Sequence, residues 1–189
     1  GEDAIQDGFH IIGSHIDSPR LDLKGRPLYE GNEFALFQTN YHGGIKYHQW
    51  TNLPLALLGR IDKKDGTSVQ VSIGLDPSDP IFMIPELSPH VDRSRNSKTL
   101  GDFITPEDLD PIIGHIPDDE DGDVVDQVLA YLAAEYGVTR ADLVSAELAL
   151  VPAGASRDMG VDSGLIAAYG QDDRLASYAA LRAVAEVEN

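Results

Sequence analysis

The sequence predicts an α/β fold interrupted by a β-rich insertion, and three observations carry that prediction. Phe9-His10-Ile11-Ile12-Gly13 is a short, mostly apolar run closed by glycine, the pattern of a buried strand. Leu175 to Val187 is rich in alanine and leucine and predicts a helix near the other end of the chain. Between these ends, Val69, Val71 and Ile73 alternate with Ser68, Gln70 and Ser72, the period of a strand with one buried face. The ends therefore read as α/β sheet, and the middle, from about residue 43 to 151, reads as an insertion of hairpin and helices.

Each element follows from local chemistry. Phe34 to Tyr41 is a second strand, ending at His42-Gly43-Gly44, where a turn or bulge is expected. Leu53 to Ile61 and Thr67 to Ile73 form a hairpin around Asp65-Gly66, a dipeptide suited to a tight turn. Ile84 to Val91 reads as a short helix limited by Pro85 and Pro89. Thr105-Pro106-Glu107-Asp108 has a capping residue followed by proline at the first helical position. Val124, Val125, Val128, Leu129, Leu132 and Ala133 have helical spacing, and Gly137 ends that helix. Thr139-Arg140-Ala141-Asp142 starts a further turn of helix. Leu148 to Val151 and Leu165 to Tyr169 read as strands.

Composition narrows the chemistry. The chain has 189 residues, 42% of them apolar, enough for a core in one or two domains. It contains no cysteine, so any metal must sit on His, Asp or Glu. The net charge of −18 argues against nucleic acid as a partner, because phosphate recognition needs a basic face. No apolar run is long enough to span a bilayer, and Gly1-Glu2-Asp3 begins no leader; a cytoplasmic protein without membrane contact is the expectation.

Three constellations could carry chemistry. His15-Ile16-Asp17 follows directly on the first apolar run. A histidine ligates metal well when a carboxylate holds its second ring nitrogen, yet the tripeptide alone more often marks a histidine in a polar loop. Asp172-Asp173-Arg174 lies between an apolar run and a helix, where a carboxylate can bridge two metals or simply cap the helix. Asp118-Asp119-Glu120-Asp121-Gly122-Asp123 suggests calcium, but with the loop glycine at Gly122 the last ligand position falls on Val128. No phosphate loop or dinucleotide fingerprint is present, and Ser14 and Ser18 have no ordered triad around them.

Taken in order, several segments resemble one family. Gly13-Ser14-His15-Ile16-Asp17-Ser18-Pro19-Arg20-Leu21 resembles the His-x-Asp-Ser-Pro signature of the aspartyl aminopeptidase and yeast vacuolar aminopeptidase I family of zinc metallopeptidases. Tyr41-His42-Gly43-Gly44-Ile45 is similar to its Tyr-Gly-Gly-Gly-Ile segment, with His42 in place of a glycine. Leu55-Ala56-Leu57-Leu58-Gly59-Arg60 and Ile84-Pro85-Glu86-Leu87-Ser88-Pro89-His90 resemble two further motifs. Asp172-Asp173-Arg174 resembles its Asp-Asn-Leu motif, with Asp173 in place of asparagine. The wording looks most like the bacterial branch.

The resemblance implies a partial zinc-exopeptidase catalytic domain in residues 1–42 and 152–189, interrupted by a dimerisation domain in 43–151. It implies release of N-terminal amino acids from peptides with two zinc ions. His15 would bind one metal, Asp172 would bridge both, and Asp17 would be the acid behind the site. His90 would reach a partner subunit's active site and help polarise the substrate carbonyl. Such proteins build homo-oligomers, dimers assembling into dodecamers. Two metals need about five protein ligands, and the family's Glu-Glu pair, later aspartate and final histidine have no counterpart here. The site is expected to be incomplete in this chain. The competing expectation is a non-catalytic oligomerisation module with a vestigial metal site.

Overall fold

The computed structural model describes residues 6, 8–117 and 122–186. The acidic segment 118–121, considered above for calcium, and Val187 lie outside the described residues. The chain divides into two compact units, Pro19–Ser156 and a smaller one formed by Gly1–Ser18 with Arg157–Asn189.

The larger unit is built on a six-stranded antiparallel sheet in the order β4-β3-β6-β1-β2-β5. Its strands are β1 (Arg20–Gly31), β2 (Phe34–His42), β3 (Leu55–Asp62), β4 (Ser68–Ile73), β5 (Ile112–Gly114) and β6 (Ala146–Pro152). Phe82 bridges to Leu55 and Met83 to Ile112, so the segment after β4 links the outer strand β5 back to β3. This return leaves less open edge, a feature that sheets otherwise need to protect. The helices are α1 (Leu100–Phe103) and α2 (Val124–Tyr136).

The strands read from alternation are present. β3 and β4 pair in register from Leu57–Ile73 to Asp62–Ser68, and Lys63 N donates to Thr67 O across the Asp65-Gly66 turn. α2 spans the predicted residues. Asp123 accepts from the Val125 amide at its start, and Gly137 closes it in the left-handed conformation. Val124, Val125 and Leu132 join Leu21, Phe37, Leu55, Leu57 and Leu150 in one core. Each such side chain contributes about 1.5–3 kcal/mol by leaving water.

The break between the compact units falls at 18/19 and 156/157, because β1 and β2 hydrogen-bond into the same sheet as β6 and β5. Two expectations change. Ile84–Val91 is not a helix: Ile84 is in a bridge with Thr51, and a turn follows at Ser88. Pro85 and Pro89 disfavour helical backbone before them and remove donors within it. Phe9–Gly13 is not a strand and pairs with none of the described strands; Phe9, Ile11 and Ile12 are exposed.

The smaller unit holds the hairpin β7 (Arg157–Met159) and β8 (Leu165–Ala167) and the helix α3 (Gln171–Glu186). Asp172 and Asp173, at the start of α3, have non-helical backbone, and the peptide between them is cis. Leu175, Tyr178, Leu181 and Val184 on this helix are exposed. Among the described residues, no helix is long and apolar enough to cross a membrane.

Candidate metal centre

His15 lies in the loop before Pro19, and its backbone is fastened to α3. Ser177 Oγ donates to His15 O at 2.7 Å and lies 3.0 Å from Ser14 Oγ. Close by, Ser18 Oγ donates to Asp172 O at 3.4 Å. Gly170 makes that approach possible. Its φ is +79°, and a Cβ there would lie 3.1 Å from Ser18 Oγ. Two chain segments far apart in sequence are thus held together by short side chains and a glycine.

The imidazole is addressed from both nitrogens. Nδ1 lies 2.7 Å from Asp17 Oδ1. Nε2 contacts the carboxylate of Asp173. The hydrogen bond to Asp17, the charge of Asp173 and a smaller effect from Asp172 hold the His15 pKa above the ordinary histidine value. The Asp172 carboxyl is also pushed up, by its hydrogen bond with Asp173, the charge of Asp173 and burial, while His15 opposes the shift. One imidazole and three carboxylates therefore form a single electrostatic cluster.

The predicted residues are placed as follows. His15, Asp17 and Asp172 come together in the smaller unit. His90 belongs to the larger unit, where it is exposed in a turn. Asp173 is the residue that sequence reasoning passed over. Its position beside Asp172 was visible, but its contact with His15 joins residues 158 positions apart, and no periodicity reports such a contact. His115 behaves as a structural histidine: its ring lies 4.6 Å from that of Phe34, and Nδ1 is 3.1 Å from Glu33 O. An apolar cavity of about 340 Å³ between α2 and the sheet includes none of the candidate site residues.

The donor types suit zinc. Histidine and aspartate are ordinary zinc ligands, and a carboxylate on the far ring nitrogen orients a ligating imidazole. Their number does not complete a centre: among the described residues, no group of three or more His, Asp or Glu side chains could hold a metal ion.

Comparison with known proteins gives the family. Residues 1–189 match the family described as aminopeptidase I zinc metalloprotease (M18). The chain belongs to that family. It is 44% identical over 192 residues to a probable M18 family aminopeptidase 1 of Clostridium acetobutylicum, covering 100% of this chain and 41% of the relative. The crystal structure of aminopeptidase I from Clostridium acetobutylicum superposes with a TM-score of 0.90 at 42% identity, over 100% of this chain and 42% of that one. A structure of the yeast mApe1 dodecamer superposes with a TM-score of 0.62 at 25% identity, covering 90% of this chain and 38% of that one. The chain thus spans about two fifths of the length of such M18 relatives.

Proposed function

We propose that this chain carries part of a two-zinc aminopeptidase centre, with His15 as a ligand of one ion and Asp172 as the bridge between two. The observation that carries the reading is the contact of Asp17 and Asp173 with the two ring nitrogens of His15, beside the Asp172 carboxylate that bonds Asp173. Asp17 would hold Nδ1, leaving Nε2 as the metal donor. Asp173 competes for that nitrogen and would have to withdraw from it. Zinc held there would supply Lewis-acid polarisation of a peptide carbonyl and a water of lowered pKa. The general base and the remaining ligands would come from residues beyond these 189.

The two compact units support a division of labour. The smaller one, which carries His15 and Asp172, would be part of the catalytic domain, and the larger one would be the oligomerisation domain that presents His90 to a partner's substrate. The exposed apolar side chains of the smaller unit, Ile11, Leu175 and Leu181 among them, fit an element that is one layer of a larger core. The yeast dodecamer supports a homo-oligomer here.

In a full-length enzyme carrying this chain, His15→Ala should lower zinc content, measured by plasma mass spectrometry. Release of N-terminal residues from a peptide should fall by about a thousandfold or more, the scale of losing an electrostatic stabiliser in the transition state. Full zinc content and unchanged turnover in His15→Ala would exclude the assignment. Wild-type protein that binds zinc and cleaves no aminoacyl substrate would favour an oligomerisation module instead.

A further inference from the structure

The segment that carries His90 is built like a clasped loop. Val91 N and Asp92 N both donate to Ser88 O, at 2.9 and 3.0 Å, so Pro89 and His90 occupy the middle of a tight turn. Proline at its first central position fixes φ for that turn. His90 and its neighbours Leu87 and Val91 are exposed. Within the loop Ser94 N and Oγ also donate to Asp92 Oδ1, and bonds to the rest of the unit are made at its base, by Glu86 N and Arg95.

Arg95 forms that base. Its Nη1 donates to Phe103 O at 2.8 Å and to Glu86 Oε2 at 3.2 Å. Nη2 donates to Asp108 Oδ1 at 3.2 Å, and Nε lies 3.7 Å from Asp92 Oδ2. Glu86 and Arg95 thereby close the loop from residue 86 to 95. Both partners are anchored further: Glu86 N donates to Asn52 Oδ1 at 3.1 Å, and Asp108 Oδ2 accepts from Thr105 N at 2.8 Å and Thr105 Oγ1 at 2.9 Å. The Arg95 side chain is 22% exposed and that of Glu86 14%, so solvent screens this cluster less than a surface pair. The Arg95 guanidinium faces three carboxylates, and Lys98 adds a weaker effect on Asp92. Without the guanidinium, Glu86, Asp92 and Asp108 would repel one another at the neck of the loop.

We propose that Arg95 is a positioning residue for His90, its planar guanidinium fixing the neck of the 86–95 loop so that the imidazole is delivered to one place. This rests on the reading of His90 as a group that acts on substrate. A lysine cannot reproduce the role in full, because a single ammonium lacks the fork that reaches several acceptors at once.

The test compares Arg95→Met, Arg95→Lys, His90→Ala and the Arg95→Met/His90→Ala double variant in the full-length enzyme. Hydrogen exchange over residues 86–94 should quicken by about tenfold in Arg95→Met, with partial recovery in Arg95→Lys. The kcat for a peptide substrate should fall by about tenfold or more with KM little changed, and Arg95→Met should add nothing once His90 is absent. Should Arg95→Met fail to fold, Glu86→Gln loosens the clasp from its other side and should show the same coupling. Unchanged exchange in residues 86–94 would overturn the proposal. So would a slowed His90→Ala enzyme to which Arg95→Met adds its full loss. A His90→Ala enzyme with unchanged kcat would remove the reading of His90 itself, and the positioning role with it.

Discussion

Both ring nitrogens of His15 are met by carboxylates, Nδ1 by Asp17 and Nε2 by Asp173, so the surrounding negative charge favours the imidazolium. The pairing with Asp17 was open to the sequence, since two residues of separation allow the contact, although the tripeptide alone did not require it. The contact with Asp173 was not, because it depends on Ser177, Ser18 and Gly170 bringing the two segments together. Tyr29 shows a second long-range charge effect that the sequence hides. Its hydroxyl donates to Asp110 Oδ2 at 2.8 Å, while Asp110 Oδ1 accepts from Thr39 N at 2.9 Å. Burial, then the hydrogen bond and charge of Asp110, push the Tyr29 pKa up to about 12. The unfolded chain loses this proton near pH 10, so between about 10 and 12 the folded state holds more protons than the unfolded one. The stabilisation is complete below pH 10 and is lost as pH rises towards 12. Chemical denaturation across that range should show a shallower alkaline decline in Tyr29→Phe than in wild type. Equal slopes would show that Tyr29 does not contribute.

Elements whose local pattern agreed with their packing were readable. α2 had apolar residues at helical spacing and a closing glycine, and its predicted limits are those observed. β1 was missed because its pattern breaks midway: Leu23 pairs with Thr39 and Leu28 with Phe37, leaving Lys24 to Pro27 opposite Gln38 alone. A bulge of that size erases alternation. Ile84–Val91 misled in the other direction, since apolar spacing favoured a helix that two prolines do not allow. Gly59 in β3 is the sharpest backbone constraint in the sheet. Its φ is +145°, and a Cβ there would overlap the carbonyl oxygen of Glu147 on β6. Gly59→Ala should destabilise the larger unit by about 2–5 kcal/mol through combined strain and overpacking. Thermal or urea unfolding checks this, and a shift within about 0.5 kcal/mol, the range of a neutral surface change, would contradict it.

At the scale of the whole molecule, two compact units share one chain, and the family to which it belongs has members more than twice as long. The larger unit has a continuous core. The smaller one leaves much of its apolar surface in solvent and gathers one imidazole and three carboxylates. Ordered motifs pointed to the family. The position of the break between compact units depends on which strands pair, which composition does not report. The central claim, that His15 and Asp172 belong to a zinc centre, is tested most directly by anomalous scattering at the zinc edge from crystals of a full-length enzyme carrying this chain. A zinc peak about 2.0–2.1 Å from His15 Nε2, with Asp172 bound to the same ion, is predicted. Zinc bound elsewhere, with His15 still held between Asp17 and Asp173, would contradict it.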